Sequence, residues 1–495
     1  MKLYLQGHDY QYAVEQIMLV LFPEERPEYA ETPFEGEENA CRSVLTMGNG
    51  TASAETSIRH GGRTVCAAAQ IPAPDAADPL VYDRLLQRIL KQSFYKAAVQ
   101  LLPKRPDWGA LTGIRPAKLA SRALEEGLSE EEARERFLNE YFVSPQRTDL
   151  ALEAAKAGLE IKRSLRPEEL SLYIGIPFCP TRCAYCSFVS ADVQRALKLV
   201  EPFLDALDRE IDAVAALLPK AGAAIRSIYI GGGTPTTLTA PQLERLLTHI
   251  RSAFDLSRLS EFTVEAGRPD TITADKMEVL RRYGVDRVSV NPQSMEDEVL
   301  CAMGRAHTAE DIKTAYRIVR DSRLPAVNMD LIAGLPRDTV EGFRYTLDAV
   351  LAMDPENITV HTLALKKGSR LMMERQGLPS GEETARMLDY AWETLDRAGY
   401  RPYYLYRQKY MSGALENIGW CRPGFEGLYN VCIMEELHSI VALGAGGSTK
   451  LTDPDTGKIV RITNPKYPYE YIGRIEAICR EKEDIVPFYR ALLSK

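Results

Sequence analysis

The 495-residue chain has no stretch of roughly 18 consecutive apolar residues, the length that a membrane-crossing helix needs. Its opening, MKLYLQGHDYQYAVEQIMLVLFPEE, has an apolar run too short, and too broken by Asp9 and Glu15, to act as a secretory signal. The expectation is a cytoplasmic protein with no membrane span. Excess positive charge is also missing. With 61 Lys and Arg against 69 Asp and Glu, the net charge is −8, which gives no general electrostatic reason to bind nucleic acid or an anionic membrane. Any anionic substrate must then be held by a local basic pocket. There is no internal repeat, coiled coil or low-complexity tract. Cysteine is present but uneven: six of the nine are scattered, as buried thiols of a reduced compartment would be.

The other three, Cys179, Cys183 and Cys186, fall within eight residues in Pro177-Phe-Cys-Pro-Thr-Arg-Cys-Ala-Tyr-Cys-Ser-Phe188. Structural zinc takes four ligands, and no histidine lies close by in sequence to serve as the fourth. A disulfide conflicts with the expected compartment. Short C-x3-C-x2-C spacers let the loop wrap one compact centre. An iron-sulfur cubane held by three cysteines keeps one iron free for a small molecule.

At this length two or three domains are expected. Residues 1–165 read as a separate α+β block, with a β-rich stretch from Arg42 to Gln70, a helical run from Val81 to Leu101 and a helix starting near Pro116. From residue 170, six apolar runs read as strands: Leu172 to Ile176, Ser227 to Ile230, Phe262 to Glu265, Arg287 to Val290, Val327 to Ile332 and Ile358 to Leu363. Helical patterns separate them. Leu204, Leu207, Ile211, Val214 and Leu218 mark one helix face, Thr239–Gln242 and Asp338–Glu341 have the capping-box pattern, and Thr308 reads as a simple N-cap. Six successive βα units imply a parallel sheet, either doubly wound or curled into an open barrel. In both, the active site lies at the carboxyl ends of the strands. After residue 380 come a helix from Glu382 to Ala398, an aromatic segment from Tyr400 to Tyr410 and a glycine turn, Gly444–Gly447.

Each strand end carries candidate chemistry. The triplet Gly231-Gly-Gly233 with Thr234 permits close backbone approach and offers N–H groups to a carboxylate, although a lone glycine triplet is usually a tight turn. Glu265 and Asp330 suit an ammonium group or ribose hydroxyls; taken alone, each reads equally well as a cap or a solvated loop residue. Gln293 and Arg305, taken alone, read as surface residues. Together, the strand-end segments describe a pocket for a zwitterionic, nucleoside-containing cofactor beside a metal centre.

The phrases Tyr173-Ile-Gly-Ile-Pro-Phe-Cys179, Gly231-Gly-Gly-Thr-Pro-Thr236, Val288-Ser-Val-Asn-Pro-Gln293 and Asp330-Leu-Ile-Ala-Gly-Leu-Pro336 resemble the radical S-adenosylmethionine enzymes, in the group of oxygen-independent coproporphyrinogen III oxidases. With Leu111-Thr-Gly-Ile-Arg-Pro116 included, the chain is most similar to the HemZ-type coproporphyrinogen dehydrogenases. The resemblance implies an α/β fold: a partial (β/α)6 barrel over residues 166–380, an N-terminal α+β domain over 1–165 and a mainly helical C-terminal, oxidase-like domain over 381–495. It implies that Cys179, Cys183 and Cys186 ligate a 4Fe-4S cluster whose fourth iron is chelated by S-adenosylmethionine. Tyr173, Tyr185, Gly232, Gly233, Thr234, Glu265, Gln293, Arg305, Asp330 and Ala364 match the family's cofactor positions, with Ser448 a weaker match. The implied reaction is reductive cleavage of the cofactor to a 5'-deoxyadenosyl radical, hydrogen abstraction from a propionate and loss of carbon dioxide to leave a vinyl group. Two such events turn coproporphyrinogen III into protoporphyrinogen IX. The implied partners are a tetrapyrrole and an electron donor such as a flavodoxin or ferredoxin. Arg182, Arg268, Lys366, Lys367 and Arg370 are candidate partners for the substrate carboxylates. Position 188 departs from the oxidase pattern, which has a further cysteine there; the form with phenylalanine occurs in a sister family of haem chaperones, so haem carriage is the alternative.

Overall fold

The computed structural model describes residues 1–30, 37–186, 191–192, 196–365, 369, 371, 377–408 and 412–495. Phe188, Lys366, Lys367 and Arg370 lie outside these residues. Among the described residues no helix is long and apolar enough to cross a membrane. The chain divides into two compact units, Met1–Leu152 and Glu153–Lys495.

The first unit is a five-stranded sheet in the order β2-β1-β3-β4-β5, made of β1 (Lys2–Gln6), β2 (Glu28–Tyr29), β3 (Ala40–Gly48), β4 (Thr51–His60) and β5 (Arg63–Pro72). Alternation along β4 buries Ala52, Ala54, Thr56 and Ile58 on one face. Helices Gln11–Leu21 and Pro79–Ala98 supply Val14, Ile17, Met18, Leu86, Ile89 and Phe94 to the core of this unit. Asp78 caps the second helix by accepting from the backbone of Leu80 and Val81, and Pro79 occupies its first position. A helix does start at Pro116.

In the second unit the six expected strands are β6 (Glu169–Ile176), β9 (Ala224–Gly232), β10 (Glu261–Glu265), β11 (Arg287–Ser289), β12 (Ala326–Ala333) and β13 (Asn357–Thr362). They lie side by side in chain order and all run parallel, with Leu172 opposite Ile228, Val264 opposite Val288 and Leu331 opposite Val360. Strand β6 is buried on both faces at nearly every position, as a helix-covered parallel strand requires. The separating helices begin as the caps foretell, with capping boxes at Thr239–Gln242 and, beyond the simple cap expected, at Thr308–Asp311. One cap is displaced. Thr339, not Asp338, accepts from Gly342 N–H at 3.0 Å, because Asp338 is turned to the backbone N–H of Thr339 and the helix starts at Val340.

The C-terminal segment is helical in most of its regular residues, yet it also adds five strands that the sequence reading did not separate. The aromatic stretch forms β14 (Arg401–Arg407), which pairs with β15 (Glu416–Cys421); β15 runs antiparallel to β13. At the opposite edge β16 (Ser439–Gly444) runs parallel to β6, followed by antiparallel β17 (Ser448–Thr452) and β18 (Ile459–Thr463). Among the described residues the end strands β14 and β18 do not pair, so the six βα units make a partial barrel.

Candidate functional site

The cysteine loop leaves the end of β6. A two-residue strand, β7 (Phe178–Cys179), pairs with β8 (Ala191–Asp192) and fixes the base of the loop. Cys183 is buried, whereas Cys179 and Cys186 are half-buried. The loop is held from two sides: Ala184 N–H donates to Met303 O at 2.9 Å, and the glycine segment after β9 runs along its start. Gly233 N–H donates to Ile176 O and Thr234 N–H to Phe178 O, both at 2.7 Å. A Cβ on Gly233 would lie 2.5 Å from Phe178 O, and Gly232 has φ +111°, so only glycine permits this approach. Those two amides are therefore spent on the cysteine loop rather than offered to a ligand carboxylate. Thr234 instead turns its hydroxyl to Cys179 Sγ at 3.5 Å.

All thirteen residues matched by family position, the three cysteines and the ten cofactor positions, line one cavity of about 490 Å³. Ser448, at the start of β17, is not among its lining residues. Arg305 donates to Asn291 O at 2.7 Å and to the Tyr185 hydroxyl at 3.1 Å. Gln293 holds a left-handed backbone (φ 68°) and bridges to β12, its N–H donating to Asp330 O at 2.9 Å. Arg182 and Arg268 also line the cavity, but Arg268 is only 3% exposed and its guanidinium is committed to Asp270, Thr181 and Cys183. It is therefore not free for a substrate carboxylate.

The two carboxylates differ in charge. Burial pushes Glu265 up to about 7, aided by the nearby Asp330, and the hydrogen bond from the Tyr229 hydroxyl at 2.6 Å opposes this. Burial also works against ionisation of Asp330, but His361 at 3.8 Å outweighs it, with Asn328 and Thr359, and holds the carboxyl below its usual value. Asn328 Nδ2 donates to Asp330 Oδ1 at 2.7 Å. The cavity thus offers one ionised carboxylate and one that titrates near neutrality.

Several lining residues escaped the sequence reading. Tyr229 lies two residues before Gly231 on the same strand, and that period of two was the available signal. It stacks on Tyr429 at 4.4 Å between ring centres and on Tyr173 at 6.3 Å. Tyr404 and Tyr406 come from β14, inside the aromatic segment noted in the sequence but not assigned to the site, whereas Tyr429 belongs to the helix Leu428–Glu435 and nothing local in sequence marked it. Two buried polar atoms on lining residues, Arg305 Nε and Asn291 Oδ1, have no partner among the described residues. Such orphans belong where a ligand completes the site. Among the described residues no three His, Cys, Asp or Glu side chains are gathered for a single metal ion.

The chain matches the Radical SAM superfamily over residues 173–350. It is 42% identical over 380 residues, 76% of each chain, to the oxygen-independent coproporphyrinogen-III oxidase-like protein HemZ of Bacillus subtilis. To the oxygen-independent coproporphyrinogen III oxidase of Pseudomonas aeruginosa it is 34% identical over 241 residues, 47% of this chain and 51% of that one. To the heme chaperone HemW of Escherichia coli it is 29% identical over 302 residues, 60% and 74% of the two chains. Among solved structures, the coproporphyrinogen III oxidase HemN of Escherichia coli, a radical SAM enzyme, superposes with a TM-score of 0.52 at 25% identity, over 65% of this chain and 72% of that one.

Proposed function

From the premise that the chain belongs to the oxygen-independent coproporphyrinogen oxidase-like group of the radical SAM superfamily, which uses a 4Fe-4S cluster and S-adenosylmethionine, we propose that it decarboxylates coproporphyrinogen III propionates to vinyl groups. One observation carries the reading: the cavity that takes the three thiols and the strand-end carboxylates also takes Tyr404, Tyr406, Tyr429 and Met434, faces suited to a flat macrocycle.

The residues present fit the cofactors. Thr234 donates towards Cys179 Sγ and Arg268 towards Cys183 Sγ, and the orphaned Arg305 Nε and Asn291 Oδ1 await a polar ligand. When bound, the cluster and S-adenosylmethionine would supply hydrogen-atom abstraction from a propionate side chain, whose carboxylate would leave as carbon dioxide as one electron passes to an electron acceptor, leaving the vinyl group. This chain's own residues bind and orient. Asp330, ionised, accepts from an ammonium or ribose hydroxyl, and Glu265 adds a second acceptor once it loses its proton. Gly232 and Gly233 let the backbone close over the cysteine loop, and Arg305 fixes the Tyr185 ring. The tyrosine stack from β6, β9 and the 428–435 helix presents an apolar wall that excludes water.

The test is anaerobic. Reconstituted, reduced protein given S-adenosylmethionine and coproporphyrinogen III forms protoporphyrinogen IX alongside 5'-deoxyadenosine, and Cys183→Ala abolishes both. Deoxyadenosine in substrate-independent amounts with no vinyl product would refute the decarboxylase. Phe188, where the oxidase pattern has a cysteine, favours a second reading, a haem carrier, supported by the similarity to HemW. That reading requires a Soret shift on haem titration and transfer to an apo-protein.

A further inference from the structure

The guanidinium of Arg268 is buried, and nearly all of its donors are committed. Nε and Nη2 face Asp270 at 3.1 and 3.3 Å. Nη2 also reaches Thr181 Oγ1 at 3.1 Å, and Nη1 points to Thr181 O and Cys183 Sγ, both at 3.5 Å. A planar fork thus spans from the segment after β10 to the cysteine loop, so a fixed positive charge sits against one thiol. Arg305 is another buried guanidinium near this thiol; it donates to Asn291 O and the Tyr185 hydroxyl and also interacts with Cys183, so Arg268 is distinguished by its counter-charge Asp270.

We propose that Arg268 is a positioning residue that sets the reduction potential of the cluster held by Cys179, Cys183 and Cys186, with Asp270 as the counter-charge that limits its effect. The inference rests on the cysteine assignment made above. Each electron added to the cluster makes it more negative, so a charge-assisted hydrogen bond to a ligand sulfur favours the reduced form. Arg268 raises the potential and widens the range of donors able to reduce the cluster. Asp270 acts in the opposite direction while orienting the fork.

The test is an anaerobic redox titration of the reconstituted full chain, without substrate, following the paramagnetic signal of the reduced cluster. Arg268→Met keeps the iron content of the unaltered chain and shifts the reduction equilibrium about tenfold towards the oxidised form, about 59 mV more negative for a one-electron couple. Asp270→Asn moves the midpoint the other way, and Arg268→Lys lies between Met and the unaltered chain. Opposite signs from two partners of one ion pair are not what loss of packing produces. An intact cluster with an unmoved midpoint in Arg268→Met, or a shift of the same sign in both variants, overturns the proposal while leaving the cysteine assignment standing. If Arg268→Met loses its cluster, the signs of Asp270→Asn and Arg268→Lys decide. An unaltered chain that holds no cluster sinks the cysteine assignment and this inference with it.

Discussion

Lys482→Met tests what holds the cavity from behind. Lys482 and Glu210 are both fully buried, with Nζ 3.4 Å from Oε1. Lys482 also donates to Ala442 O at 2.7 Å and to Thr449 Oγ1 and Asn464 Oδ1 at 3.1 Å. Glu210 accepts from Gly444 N–H at 2.8 Å, Asn464 Nδ2 at 2.8 Å and the Tyr471 hydroxyl at 2.6 Å. Removing the ammonium leaves a buried carboxylate without a counter-charge, which typically costs about 3–5 kcal/mol. Coulomb's law at this separation with an effective dielectric of about 20 also gives about 5 kcal/mol. Against a total of about 5–15 kcal/mol the loss is severe. The thermal transition of the 153–495 unit therefore falls by about 4–7 °C. Adding Glu210→Gln keeps an acceptor but removes the charge, so the double variant is more stable than Lys482→Met alone. The site feels this change: a Cβ on Gly444 would lie 2.2 Å from Gly175 O, so the turn held by Glu210 backs the strand end that leads into Cys179. Iron retention falls with stability. Calorimetry that finds a loss under about 1 kcal/mol, or additive single variants, would refute the reasoning.

Three further outcomes are expected. Glu265 has its carboxyl raised from 4.5 to about 7, first by burial, so the stability it contributes is complete below about pH 4.5 and is lost as the pH rises through about 7. A bound ammonium draws the proton off, so S-adenosylmethionine affinity measured by calorimetry strengthens from pH 5 to about 7 and then levels; Tyr229→Phe, which removes the opposing hydrogen bond, moves the rise to higher pH, and a flat profile contradicts the assignment. Gly233→Ala drives a methyl group onto Phe178 O, and a loss of about 1.4 kcal/mol would weaken S-adenosylmethionine binding about tenfold; wild-type affinity would show that the close approach is not needed. Tyr406→Leu costs about 1 kcal/mol of aromatic contact, roughly a fivefold weaker tetrapyrrole affinity by absorbance titration with S-adenosylmethionine affinity unaltered; equal weakening of both ligands would place the macrocycle elsewhere.

The cofactor half of the cavity was legible because its residues come in short phrases at strand ends, where the chain itself sets the spacing. The cysteine trio follows a strand, and the glycine triplet, Glu265 and Asp330 lie in or at the end of one, each strand marked by its apolar run. What those groups do to one another was not legible. The amides of Gly233 and Thr234 go to the cysteine loop, and the proton affinities of Glu265 and Asp330 diverge because burial prevails at Glu265 whereas His361, on the neighbouring strand, outweighs it at Asp330 with Asn328 and Thr359. The C-terminal strands were hidden for a different reason. Val441 of β16 pairs with Leu172 of β6, and no local pattern names so distant a partner. Helix Leu428–Glu435 buries Leu428, Tyr429, Val431, Cys432 and Glu435 on one side but carries the apolar Ile433 and Met434, which line the cavity, on the other, so it lacks the one-sided hydrophobic periodicity that reveals a surface helix.

That helix also explains why the tyrosine-lined wall of the cavity is harder to read than the wall that carries the cysteines. Glu261, at the start of β10, accepts from Leu428 N–H at 2.7 Å and Tyr429 N–H at 3.1 Å, placing a carboxylate at the positive end of the helix. Arg287, at the start of β11, donates to Glu261 at 2.7 Å, to Asn357 Oδ1 at 3.1 Å and to Phe425 O at 2.9 Å. The pair is buried, so losing either member would strand the other, and the helix N-terminus is held where it sets Tyr429 on Tyr229. These contacts join positions 138, 167 and 168 residues apart. The cysteines sit in one loop and read as a motif, whereas the tyrosine wall of the cavity is held by polar groups at the far ends of the strands, from residues that in sequence look like ordinary strand starts.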